Sequence, residues 1–231
     1  VIVNKIKYFI RLKCVVPILL KGKPKVFCIG MNKTGTTSLK KAFEDLGFLV
    51  GSQRAAEMLL KNYIKNDCKP IFKYVKSAQV FQDIPFSLPN TYKFLYNKFP
   101  NAYFILTVRD SPEQWVDSIT RFHSKLFGNG KIPTKKQLEE ANYVYKGFMW
   151  NAMKSIAPIS DENPYDREVL AQAYLNYNKE VEKFFKKNNC RFIKINLSEK
   201  GSYQKLIDFL GITSPFDDFP WENKTSEIKS K

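Results

Sequence analysis

The sequence predicts an α/β fold: three layers, with a mostly parallel sheet flanked by helices. Three observations carry it. Val26-Phe27-Cys28-Ile29-Gly30 and Tyr103-Phe104-Ile105-Leu106-Thr107-Val108 are continuous apolar runs, the pattern of strands covered on both faces. A segment with helical spacing follows each run, and strand, loop and helix alternate over most of the chain. No repeat or linker interrupts the 231 residues, so residues 25–231 read as a single α/β domain behind a basic N-terminal extension, 1–24.

The elements follow in order. A polar KGKPK turn leads into the first strand, and after a loop Leu39, Phe43 and Leu46 recur at helical spacing until Gly47 stops them. Residues 54–66 and 90–99 read as helices, the second bounded by Pro89 and Pro100. The apolar stretch 79–81 reads as a short strand end. The strand at 103–108 ends on Arg109-Asp110, and Ser111-Pro112-Glu113 supplies an N-cap, a proline at the first helical position and an acid in the first turn. That helix runs to about residue 126, with Trp115, Ile119, Phe122 and Leu126 on one stripe. Residues 137–157 and 168–187 read as helices, 191–196 as a strand, and 202–210 as a last helix closed by Gly211. Ligands of such a sheet are expected beyond the carboxyl ends of its strands.

Composition narrows the function without choosing it. Lys and Arg outnumber Asp and Glu by 38 to 22, a net charge of +16, which favours an anionic partner: nucleic acid, membrane surface, cofactor or glycan. Aromatic residues make up 15% and are scattered, which excludes a disordered chain. Cys14, Cys28, Cys68 and Cys190 lie far apart with no CxxC pair, so a reducing compartment is the default and two disulfides stay open. Residues 8–20 are apolar but carry Arg11, Lys13 and Pro17, too short and interrupted to span a membrane. A packing segment is expected there, with peripheral membrane contact as the alternative. One histidine and scattered carboxylates give no metal-ligand spacing, so no metal is expected.

The chemistry concentrates in Gly30-Met31-Asn32-Lys33-Thr34-Gly35-Thr36-Thr37-Ser38, a loop between a strand and a helix. Backbone N–H groups at a helix start, with three consecutive hydroxyls, are suited to cradle a phosphate. Gly30 and Gly35 keep the five-residue spacing of the nucleotide loop GxxxxGK[ST], but position 36 is threonine and the lysine lies upstream, at Lys33. In this form the loop resembles that of the sulfotransferase family, whose donor loop reads KxGTT after a strand. A second stretch, ILTVRDSPEQWVDS, is similar to the family's other signature, an arginine at a strand end with a serine on the following helix. Ser118 lies nine positions after Arg109, one more than in the family, with Ser111 as the extra residue at the corner. Weaker likeness to a branch found in many bacterial sequences extends through Asp83-Ile84-Pro85, the YNKEVEKFF helix, RFIKINL and Phe219-Pro220 to Asn223.

The resemblance implies a P-loop-like sulfotransferase fold and the donor 3′-phosphoadenosine-5′-phosphosulfate, leaving as adenosine 3′,5′-bisphosphate. It places Lys33 at the oxygen bridging phosphate and sulfonate, Gly35, Thr36, Thr37 and Ser38 around the 5′-phosphate, and Arg109 and Ser118 at the 3′-phosphate. Thr34 of the same loop is also counted as donor-binding, and Lys224 in the tail as a further contact. Cysteine usage makes a reducing cytoplasm the default compartment, and the resemblance adds the Golgi lumen if the chain is a trimmed eukaryotic enzyme. An acceptor hydroxyl needs a base. Asp83 is the candidate, with a turn-capping role as the alternative, while the lone His123 is expected to pack or face solvent. Arg54, Lys73 and Lys76 are candidates to line an acceptor cleft. The acceptor, a carbohydrate or small metabolite, stays open, and the basic surface suggests an anionic one. Two rival classes remain: an ATP-dependent P-loop kinase, which lacks its lysine at position 36, and a basic nucleic-acid-binding protein, for which no specific reading motif is present.

Overall fold

The computed structural model describes residues 16–220. Four strands and eleven α-helices are found among them. A short helix α1 (Val16–Leu19) precedes strand β1 (Val26–Cys28), which leads through the glycine loop into α2 (Thr36–Asp45). Helices α3 (Gln53–Glu57), α4 (Leu60–Ile64) and α5 (Lys69–Tyr74) follow, and β2 (Val80–Gln82) comes after them. Helix α6 (Thr91–Lys98) connects to β3 (Tyr103–Thr107). Then come α7 (Pro112–Phe127), α8 (Lys135–Glu140), α9 (Phe148–Ile156) and the long α10 (Arg167–Asn188). Strand β4 (Phe192–Ile195) and α11 (Ser202–Leu210) complete the series.

The strands lie in the order β2-β1-β3-β4, and every neighbouring pair is parallel. Side chains that alternate along each strand therefore enter two different cores. Phe27, Ile29, Phe81, Phe104 and Leu106 join the larger core, with α6, α7, α9 and α10. Val26, Cys28, Val80, Ile105, Ile193 and Ile195 face the other way, onto Leu39 and Phe43 of α2 and Tyr203, Leu206 and Leu210 of α11. This two-sided burial is why the strands read as unbroken apolar runs. The larger core is aromatic: Phe27 lies within 5.9 Å of Phe81, Phe86, Phe99 and Phe104, centroid to centroid.

The observed architecture is thus α/β, with a parallel sheet flanked by helices, and most expected elements lie within two residues of their expected bounds. Three differ. The helix expected over 54–66 is two short helices, α3 and α4. That expected over 137–157 is broken into α8 and α9, because Ala141 leaves the helix in an extended conformation (ψ 120) and Gly147 takes a left-handed φ of 84 that starts the next one. The hydrophobic spacing continues across the break and so hides it. Helix α5 was not expected; Pro70, in its first turn, is a helix starter there rather than a breaker. Cys28, Cys68 and Cys190 are free thiols. Cys14, Lys224 and most of the segment 8–20 lie outside the described residues. No described helix is long and apolar enough to cross a membrane.

Candidate active site

The carboxyl ends of β1 and β3 meet at the glycine loop. Gly30 is pressed against Thr107: a Cβ on Gly30 would lie 2.0 Å from the Thr107 hydroxyl and 2.5 Å from its carbonyl oxygen, so only glycine fits. The Thr34 hydroxyl donates to the Met31 carbonyl at 2.6 Å and pairs with the Thr107 hydroxyl at 2.5 Å, closing the loop on itself and on β3. Trp115 of α7 donates its indole N–H to the Asn32 carbonyl at 2.9 Å, and its ring stacks on Tyr174 of α10 at 4.9 Å. Gly35, at φ 94, is the N-cap of α2, and no side chain caps that end. The start of α2, with its positive dipole end, therefore faces the loop without a side-chain cap, as an anion site requires.

Two cations stand at this end. Arg109 donates from Nε to the Lys33 carbonyl at 2.7 Å, and its backbone N–H donates to the Tyr174 hydroxyl at 2.9 Å, so the guanidinium is fixed against the loop. The Lys33 ammonium lies 3.7 Å from the centre of the Phe122 ring. Burial, then the charge of Arg109, bring its pKa down to about 8, while Asp83 acts in the opposite direction. Lys33 also has a left-handed backbone, φ 70, which costs a side-chain-bearing residue roughly 1–2 kcal/mol. The other described non-glycine residues with positive φ are asparagines, which tolerate it, and Asp83 at φ 60. Two of the expected catalytic residues thus hold unusual backbones, and both line one cavity.

That cavity has a volume of about 290 Å³. Lys33, Gly35, Thr36, Thr37 and Ser38 form one wall, and Arg109, Asp83, Glu57, Phe122 and His123 line it too. Asp83 is 8% exposed; burial raises its carboxyl pKa, while the Ile84 N–H, donating to Oδ1 at 2.9 Å, and the Lys33 charge act to lower it. The Gln53 amide donates both to Asp83 Oδ2 at 3.3 Å and to Glu57 Oε1 at 3.0 Å, bridging two buried carboxylates. Burial pushes Glu57 up to about 7. His123 is buried, as the packing expectation had it, but it also lines the cavity. Its Nδ1 pairs with the Tyr165 hydroxyl at 2.7 Å, and burial brings its pKa down to about 3, so the ring is neutral.

Of the expected contacts, Ser118 is half-buried on α7 and does not line this cavity, and Thr34 is turned into the loop rather than outward. Asp110, beside Arg109, is engaged at the corner: its carboxylate accepts from Asn196 and Gln114, which hold its pKa below the usual range. A second, larger cavity of about 800 Å³ adjoins the first and shares Gln53, Glu57, Phe127 and Tyr143 with it. Arg54 lines this outer cavity, whereas Lys73 and Lys76 are exposed and line neither. Sequence reasoning had no pointer to Gln53 or Tyr143 and did not single out Glu57, and it placed Phe122 only on an apolar stripe of its helix. A glutamate amid apolar residues at 55–60 is the one signal that pointed to a buried acid.

The arrangement defines an α/β protein with an anion-cradling loop between a parallel strand and a helix, two cations over it and buried carboxylates opposite. The sulfotransferase domain model matches residues 25–228. The chain belongs to the sulfotransferase family, and sulfonate transfer is the activity class of that domain. No curated protein matches the chain.

Proposed function

We propose that this enzyme moves the sulfonate of 3′-phosphoadenosine-5′-phosphosulfate to a hydroxyl of a small acceptor. The observation that carries the reading is the placement of Lys33: a desolvated ammonium between Arg109 and Asp83, at the uncapped N-terminus of α2. The residues fit the donor, because backbone N–H groups, the Thr36, Thr37 and Ser38 hydroxyls and the free Nη groups of Arg109 make an all-donor lining for phosphate. Asp83, on the same cavity, acts as the base. The acceptor oxygen attacks sulfur as the bond from sulfur to the bridging phosphate oxygen breaks, and the hydroxyl proton passes to the Asp83 carboxylate. Negative charge grows on the leaving phosphate oxygen, and the Lys33 ammonium stabilises it more strongly in this water-poor site than it would in bulk water.

Thermal shift tests the donor: adenosine 3′,5′-bisphosphate is expected to stabilise the protein, whereas ATP with magnesium is not. The reverse pattern would overturn the reading in favour of a kinase. Lys33→Ala is expected to lower kcat by about 100-fold or more, as for loss of one charge-stabilising donor, with the melting temperature retained. Full activity in that variant removes Lys33 from the mechanism.

A further inference from the structure

The outer cavity carries the opposite charge to the chain as a whole. Its charged lining residues are Glu57, Glu140 and Arg54. Arg54 is already committed: its guanidinium donates to the Tyr143 carbonyl and, at 2.7 Å, to the Val144 carbonyl. Glu57 is 6% exposed and receives a hydrogen bond from the neutral Gln53 amide. Among the described residues no cation lies within ion-pair distance of Glu57 or Glu140. A buried carboxylate without a cation is costly, which is why Glu57 is pushed up to about 7. A ligand cation beside it would lower that value and favour the ionised form, and the exposed Glu140 adds a second carboxylate at the rim. The apolar part of the wall suits such a ligand. Phe127 and Tyr143 meet edge to face at 5.8 Å, presenting ring surface of the kind that attracts ammonium groups.

We propose that the acceptor is a hydroxyl-bearing ammonium compound, whose charge is held in the outer cavity by Glu57 and Glu140 against the Phe127 and Tyr143 rings. The proposal rests on the sulfonate-transfer reading for the direction of the hydroxyl, which must reach Lys33 and Asp83 in the adjoining cavity. It reverses the anionic acceptor that the net charge of +16 suggests, because the charged lining of this cavity has two carboxylates to one guanidinium.

Calorimetric titration of the full chain with three phenols that differ in one end group tests it: tyramine, para-ethylphenol and para-hydroxyphenylpropionate. Each is titrated into the bisphosphate-loaded and the nucleotide-free protein. Tyramine is expected to bind about tenfold more tightly than the neutral phenol, and the anion more weakly than either, from charge pairing and cation–π contact together. Glu140→Gln is expected to erase most of that preference while leaving bisphosphate affinity unchanged, since Glu140 lines the outer cavity alone. An anion that binds as well as tyramine, or tyramine with no advantage over the neutral phenol, overturns the proposal. Failure of the bisphosphate to bind sinks the donor reading instead, and the nucleotide-free titrations still read the charge preference.

Discussion

Lys33 is charged at neutral pH only because its lowered pKa still lies near 8, and an anionic donor beside it raises that value again. In the proposed mechanism the active form has this ammonium charged and Asp83 ionised. Activity is therefore lost as pH rises through about 8 and also as it falls through the raised pKa of Asp83. A bell-shaped kcat/KM profile is expected, with its alkaline limb near 8 rather than near the ordinary lysine value, because kcat/KM reports the free enzyme. Lys33→Arg is expected to retain part of the activity and abolish that limb; a limb still at 8 would assign it to another group. At this scale the meeting of Lys33, Gly35 and Arg109 about one cavity was legible in the sequence, because a loop between a strand and a helix is local and a strand-end arginine reaches it. Glu57 was not. Its role depends on Gln53 and Asp83 arriving from different elements, and no local pattern encodes that meeting.

Helix α7 does three jobs along its 16 residues. Ser111 starts it by accepting from the Gln114 N–H at 3.1 Å; one turn in, Trp115 pins the loop carbonyl of Asn32; near its far end Phe122 supports the Lys33 ammonium. The apolar stripe read from the sequence is real, yet its members serve different ends: Trp115 and Ile119 are core, whereas Phe122 is half-buried cavity wall. Trp115→Phe keeps the stacking surface but leaves the Asn32 carbonyl without its donor. The loss is expected to weaken bisphosphate binding by about fivefold, the equivalent of one net hydrogen bond, with α7 intact by circular dichroism. Unchanged affinity would mean that the loop holds its shape without this tie. The break between α8 and α9 shows why the rest was illegible. Periodicity reports which residues are buried, and residues 141–147 leave the helix while keeping Val144 buried and Tyr143 against the cavity.

Across the whole molecule, one parallel sheet divides two cores, and the strand pattern that creates them was the most legible feature of the sequence, because burial on both faces leaves no polar positions to confuse it. Phe27 stands at the centre of the larger core, in ring contact with four other phenylalanines and fully buried. Phe27→Ala is expected to lower stability by about 3–5 kcal/mol, the range for emptying an aromatic site, and denaturant unfolding measures it. A loss under about 1 kcal/mol would mean that the ring cluster collapses readily into the space. The sheet also separates duties in space. Lys33 and Arg109 follow the adjacent ends of β1 and β3, while the outer cavity is walled by α3 and by the segment from α7 to residue 143.

The contact of Gly30 with Thr107 has a consequence for how such a protein can change. With no room for even a methyl group between the two strand ends, this corner behaves as a machined fixture whose tolerances forbid drift at Gly30. Glu57 and Glu140 stand instead on the short helices α3 and α8, away from that contact, so under the proposed reading acceptor preference can change there while the loop between β1 and α2 stays as it is.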